Sequence, residues 1–222
     1  MDSLENSPKV SFILNLPARR GDEELLSTIH SIQNLNSDPW EIILVFNGDT
    51  SHAEASTFSE DKHVKLFLPE QDDILSLISG DYLVFCSAGD YFHPHSLSLF
   101  FKSLNENPSA DIYTSDCDYS LVDSSKHYPF FKPTALSPEL LLSVNYLSRS
   151  FIKKDAISKY LSAVSFKENI RSIEYDIVLR LIENGHTLQH IPVVLISQSN
   201  LVKSDDPLYE EVIKSHLARV GL

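Results

Sequence analysis

Short apolar runs alternate with stretches of helical periodicity through the first half of this chain, and that alternation limits the fold more than any other feature. Val10 to Leu16 (VSFILNL) reads as a buried strand closed by Pro17. In GDEELLSTIHSIQNL, Leu25, Leu26, Ile29, Ile32 and Leu35 fall at helical spacing behind first-turn acids, which predicts a helix from about Asp22 to Asn34. Trp40 to Phe46 (WEIILVF) is the next strand, stopped by the turn signal Asn47-Gly48-Asp49, and His63 to Leu68 is a third. A helical stretch around Asp73 to Ser79 leads into a fourth strand, Asp81 to Cys86. This spacing predicts an α/β chain with a mainly parallel, Rossmann-like sheet covered by helices on both faces. Ligands of such sheets bind at the carboxyl ends of the strands, where Asn47 and Asp90 both fall.

The second half is less regular. A helix is predicted from about Pro94 to Asn105, then a strand from Asp111 to Thr114 whose end carries the polar run TSDCD. SPELLLSV reads as a helix capped by Ser137, and EYDIVLRLIENGH as a helix stopped at Gly185. Two strands, TLQHI and VVLIS, follow, and Leu208 to Val220 has an amphipathic helical pattern. No linker or repeat divides the chain, so residues 1–222 are expected to form a single domain, with a core of about 10–197 and a C-terminal helix of about 208–220.

With 42% hydrophobic residues the chain is globular and not disordered. Its 31 acids against 18 Lys plus Arg give a formal net charge of -13. Such a surface repels nucleic acid and anionic membranes, and a diphosphate ligand would need a local cation, either a metal ion or placed arginines. No apolar run is long enough for a transmembrane segment, and the start MDSLENSPK lacks the layout of a signal peptide. Cys86 and Cys117 have no metal-site spacing and read as buried free thiols. A soluble cytoplasmic protein is expected.

The segments VSFILNLPARRGDEELLSTIHSI, WEIILVFNGDTS, SGDYLVFCSAGDYFHPHSLSLFFKSLNENPSADIYTSDCDYS, PFFKPTALSPELLLSVNYLSRSFIKKDAI and EYDIVLRLIENGHTLQHIPVVLI, in that order, resemble the family 2 glycosyltransferases. The likeness is closest to the bacterial surface-polysaccharide (O-antigen-type) branch, often built as tandem modules. It implies a GT-A fold, a nucleotide-sugar donor, a glycan acceptor and transfer with inversion, and it admits a partner glycosyltransferase module. It also implies a carboxylate base and Mg²⁺ or Mn²⁺ held by a D-x-D motif, since charge builds on the departing diphosphate and oxygen ligands suit such ions.

Several positions depart from that pattern. Where the family has D-x-D-D after its fourth strand, this chain has Ser87-Ala88-Gly89-Asp90, which weakens the case for a metal. Asn47 stands where the family reads the nucleotide base with Asp; an amide can still bond a pyrimidine edge. Pro17, Ala18, Asn47 and Asp90 are thus the nucleotide-binding candidates. Asp90, Asp116 and Asp118 are the metal-ligand candidates, the latter two matching a paired acidic motif of the branch. Glu174 falls at the family's catalytic Asp and is the candidate base, provided that burial raises its pKa. Arg19, Arg20, Arg149 and Arg171 are candidate phosphate clamps.

Each candidate has a plainer alternative. Asp90 is equally an N-cap for the following helix, Asp116 and Asp118 a solvated pair at a strand end, Glu174 a first-turn helix acid, and any one arginine a surface charge. His93 and His95 flank Pro94 at a helix start, and His186 and His190 lie across a turn; neither spacing makes a metal site. A second function is a non-catalytic module of the same fold that binds a glycan, a nucleotide or a partner glycosyltransferase.

Overall fold

The computed structural model describes residues 8–16, 23–46, 61–69, 72–120, 127–134, 136–162, 164–166, 169–198 and 207–222. Strands β1 (Val10–Leu16), β2 (Trp40–Phe46), β3 (Val64–Phe67) and β4 (Tyr82–Cys86) form the parallel part of a sheet, in the order β3-β2-β1-β4. Pairing is in register along β1, with Val10 opposite Trp40 and Tyr82. These strands read as nearly continuous apolar runs because both faces are covered. Val10, Phe12, Leu14, Ile42, Leu44, Val84 and Cys86 pack on one face against helices α1 (Glu23–Gln33) and α3 (Ser96–Glu106). Ile13, Ile43, Val45, Leu83 and Phe85 face the other way, onto α5 (Lys154–Leu161) and α6 (Ile170–Glu183). A single helical turn, α2 (Ile74–Leu77), precedes β4 and is capped by Asp73.

Beyond β4 the sheet becomes mixed. Strands β5 (Tyr91–Phe92), β6 (Ile112–Ser120), β7 (His127–Phe130), β8 (Phe151–Lys153) and β9 (Leu188–Gln198) extend it in the order β4-β8-β6-β9-β5, with β7 beside β6. β8 pairs antiparallel with both β4 and β6, while β6 and β9 run parallel. Helices α4 (Pro138–Ser143), capped by Ser137 as its sequence predicts, and α7 (Pro207–Val220) complete the described structure.

Two strand assignments change, and the helix read from Glu174 begins four residues earlier, at Ile170. The run TSDCD lies inside β6 and not past its end, because pairing with β9 carries the strand on to Ser120. TLQHI and VVLIS are one strand, since Pro192 and Val193 fall where the β6–β9 register shifts; there the missing proline N–H leaves no ladder bond unmade. No described helix is long and apolar enough to cross a membrane.

Candidate functional site

At the carboxyl end of β4 the chain turns through Ser87 to Asp90. The Asp90 N–H donates to Ser87 O at 3.0 Å, and the Ser87 N–H donates to Asp90 Oδ2 at 2.8 Å. Gly89 sits at φ 90, a conformation side chains resist, and its N–H donates to Thr28 Oγ1 of α1 at 3.0 Å. Asp90 therefore closes its own turn. It does not cap α3, which starts after His95 and is separated from Asp90 by β5.

The residue that organises the site is Arg149. It lies in the turn before β8 at φ 59 and is 4% exposed. Its Nε donates to Asp90 Oδ2 at 2.5 Å, its Nη1 to Glu174 Oε2 at 2.7 Å and its Nη2 to Ser87 Oγ at 2.9 Å. Its backbone N–H also donates to Glu174 Oε1 at 2.6 Å, so the left-handed backbone and the guanidinium grip one carboxylate together. Glu174 is the fifth residue of α6, which opens after the Asn169 cap, and so it is not a first-turn acid held by the helix dipole. Its carboxyl is 1% exposed.

Electrostatics follow from this burial. Loss of water pushes the Glu174 carboxyl above the ordinary glutamate range, with the charge and N–H of Arg149 pulling the other way. Burial opposes the charge on Arg149, but Asp90 and Glu174 hold it above the usual guanidinium value, so it stays cationic. All three of its nitrogens serve protein acceptors, which makes Arg149 an internal counter-ion to two carboxylates instead of the phosphate clamp its sequence position implied.

A second polar layer supports the Arg149 turn. Lys132, 6% exposed, donates from Nζ to Thr114 Oγ1 at 2.9 Å and to Ser148 O at 3.1 Å. Burial lowers its pKa. Gln198, the last residue of β9, reaches Ser148 Oγ at 3.3 Å. Sequence reasoning missed both residues. A lysine enclosed by PFFKP was a signal for the first; an amide at a strand end gives none.

The three predicted metal ligands do not converge. Asp116 Oδ1 accepts from the Lys132 N–H and lies 2.8 Å from His190 Nε2, while Asp118 Oδ2 lies 3.1 Å from His127 Nδ1 and Asp90 serves Arg149. Among the described residues, no three His, Cys, Asp or Glu side chains are placed to share a metal ion. With Ser87 and Gly89 at the D-x-D positions and a guanidinium against Asp90, this donor set does not fit a divalent metal.

Arg171 is half-buried near the start of α6. Pro17, Ala18, Arg19, Arg20 and Asn47 lie outside the described residues. The other histidines have protein partners: His93 Nε2 lies 3.2 Å from Ser197 Oγ, His95 Nδ1 3.3 Å from Asn36 Nδ2, and His186 Nδ1 3.1 Å from Asp111 Oδ2.

The model of the family described as "Glycosyl transferase family 2" matches residues 16–161. Solved structures of S. aureus TarS are similar to this chain. TarS 1-349 superposes with a TM-score of 0.67 at 10% identity, covering 96% of this chain and 65% of that one. TarS 1-349 in complex with UDP-GlcNAc gives a TM-score of 0.67 at 11% identity, covering 96% and 66%. A longer TarS structure gives 0.68 at 12% identity, covering 96% and 39%. The chain thus spans less than two thirds of the length of the TarS chains it resembles. No curated protein matches it.

Proposed function

The chain belongs to glycosyl transferase family 2 and has the GT-A fold, and we propose that it transfers a sugar from a nucleotide-sugar donor to a glycan acceptor, with inversion, in surface-polysaccharide synthesis. One observation supports this reading: a buried guanidinium holds Glu174, the residue that the sequence resemblance makes the candidate base, beside Asp90 of the β4–β5 turn. The UDP-GlcNAc complex of TarS supports a nucleotide-sugar donor.

In the proposed reaction the acceptor hydroxyl oxygen attacks the anomeric carbon, the bond from that carbon to the diphosphate breaks, and the hydroxyl proton passes to Glu174. Each Glu174 oxygen accepts from Arg149 and retains a further lone pair for that proton. A carboxyl raised by burial is the stronger base once ionised. Asp90 and Arg149 fix its orientation. Because the residues do not fit a divalent metal, no step depends on one, and turnover is expected to survive EDTA.

A second reading is a non-catalytic module that binds a nucleotide, a glycan or a partner glycosyltransferase. The enclosure of Glu174, with both oxygens engaged by Arg149, favours it. Release of UDP from UDP-GlcNAc and UDP-glucose, measured with and without EDTA, separates the two. EDTA-resistant turnover that falls by roughly 10²–10⁴ in Glu174→Gln supports the transferase. Calorimetric binding without turnover supports the module, and no binding to UDP or to either sugar nucleotide overturns the transferase.

A further inference from the structure

The acid and the amide that flank the β5–β9 pair each carry a buried polar atom with no partner among the described residues. β5 and β9 are antiparallel, with Tyr91 opposite Ser197 and Phe92 opposite Ile196. Asp90 immediately precedes that pair and Gln198 immediately follows its partner, so the two residues stand across from one another where β5 begins and β9 ends. Their side chains reach consecutive residues: Gln198 bonds the Ser148 hydroxyl, and Asp90 bonds the Arg149 guanidinium.

Each is 1% exposed. Asp90 uses Oδ2 for the Ser87 N–H and for Arg149, which leaves Oδ1 buried without a partner. Gln198 is met at one end of its amide by Ser148, and the other end, Oε1, is buried without a partner. A buried polar group with no partner forfeits its hydration and is costly to keep. Two of them, on residues that face each other across the end of the β5–β9 pair, point to a ligand that satisfies both.

The chemistry of that ligand is narrow. A metal ion would sit beside the charged guanidinium already bound to Asp90, and a phosphate would meet the carboxylate itself; both are repelled. Neutral hydroxyls suit the place, because both free atoms are acceptors and adjacent hydroxyls of a sugar can donate one to the carboxylate and one to the amide oxygen. We infer that Asp90 and Gln198 form a pair that reads hydroxyl groups of the sugar on the donor. The inference rests on the nucleotide-sugar reading above and extends it, by assigning sugar selectivity to a residue at the end of β9. Both atoms are closed to solvent, so a ligand reaches them only as the site opens. A ligand that opens the site and leaves them unbonded is penalised, which is how buried polar groups discriminate between a ligand that carries a hydroxyl and one that lacks it.

The test is calorimetric titration of the whole chain with UDP, UDP-glucose and UDP-GlcNAc, together with saturation-transfer NMR of free methyl glucoside and methyl N-acetylglucosaminide. The expected result is that at least one sugar nucleotide binds about tenfold or more tightly than UDP, and that Gln198→Met removes this advantage while UDP affinity holds. Gln198→Asn, which keeps the amide but shortens it, serves if the methionine variant does not fold, and is expected to lose most of the advantage. Equal binding of UDP and both sugar nucleotides by the native chain overturns the pair and leaves the nucleotide reading standing. Binding of either glycoside that Gln198→Met abolishes, with no nucleotide bound, keeps the pair as a hydroxyl site but overturns the nucleotide reading and with it the assignment to a donor sugar. Binding of none of the five probes overturns both.

Discussion

Arg149 joins two carboxylates contributed by distant parts of the chain: Nε lies 2.5 Å from Asp90 Oδ2 and Nη1 lies 2.7 Å from Glu174 Oε2, with all three side chains no more than 4% exposed. Removing the cation would leave two buried acids facing each other, which is costlier than the pairing itself is worth. Arg149→Met is therefore expected to lower stability by about 3–5 kcal/mol. Arg149→Lys is expected to lose nearly as much, because one ammonium cannot span acceptors that a planar fork reaches separately. Urea unfolding of the two variants at neutral pH checks this, and a loss below about 1 kcal/mol in Arg149→Met would show that the carboxylates find other partners.

The raised pKa of Glu174 makes two predictions with opposite pH sense. As a base it must be ionised, so turnover should climb with pH through a folded-state pKa that lies above the ordinary glutamate value of about 4.3. For stability, a carboxyl raised on folding contributes stabilisation that is present below its unfolded pKa and is lost as pH rises through its folded pKa. Urea unfolding of native protein and Glu174→Gln between about pH 4 and 8 should show this slope in the first and not in the second. An acid limb of activity at an ordinary glutamate pKa would remove Glu174 from the role.

Much of the parallel sheet was legible because burial on both faces leaves a strong mark: VSFILNL, WEIILVF and DYLVFC carry apolar residues on both faces of the pleat, interrupted only by Ser11, Asn15, Glu41 and Asp81. The mixed half was harder. Pro192 reads locally as a break, and only the register shift opposite Ser115 and Asp116 lets it sit within one long strand. The candidate site was legible residue by residue but not as an arrangement. Asp90, Arg149 and Glu174 could each be picked out by type and position, yet that the arginine would join the two acids depends on a left-handed backbone at residue 149 and on the docking of α6. Neither feature has a local sequence signal, since a positive φ at a non-glycine residue is imposed by its tertiary partners.

At the opposite end of the sheet, Glu41 is 1% exposed and holds the amino ends of β1, β2 and β4 together. It accepts from Ser11 Oγ at 2.6 Å and Ser79 N–H at 2.7 Å, and pairs with Lys9 at 2.8 Å and Lys65 at 2.9 Å. Burial opposes its charge, but the bonds from Lys9, Ser11, Ser79 and Lys65 outweigh it and hold its pKa well below the carboxylate range. A depressed carboxyl contributes stability that is present above its unfolded pKa, about 4.3, and is lost as pH falls towards the folded value. Glu41→Gln is expected to cost about 2–4 kcal/mol at neutral pH, and much less at about pH 2–3. Acid titration of urea midpoints for both proteins measures the difference, and parallel curves would mean that Glu41 is not the source of the acid sensitivity.

Helix α7 is fastened to α6 through Glu183, whose carboxylate accepts from Arg219 Nε at 2.9 Å and Nη2 at 2.7 Å and lies 2.7 Å from His216 Nδ1. The Tyr209 ring meets Tyr175 edge-on at 4.8 Å. The aromatic contact fixes one end of α7 and the charged cluster the other. Burial works against the Glu183 charge, yet Arg219 and His216 lower its pKa, so its contribution is present at neutral pH and declines as pH falls below the ordinary glutamate range. Because this clasp lies away from the central strands, its loss should be local. Glu183→Gln is expected to lower amide protection across residues 207–220 by about 1–2 kcal/mol while β1 and β4 keep theirs. Hydrogen exchange read by mass spectrometry at neutral pH distinguishes the cases: a uniform fall across the chain would make α7 part of the cooperative core, and no fall would leave Tyr209 as its main anchor.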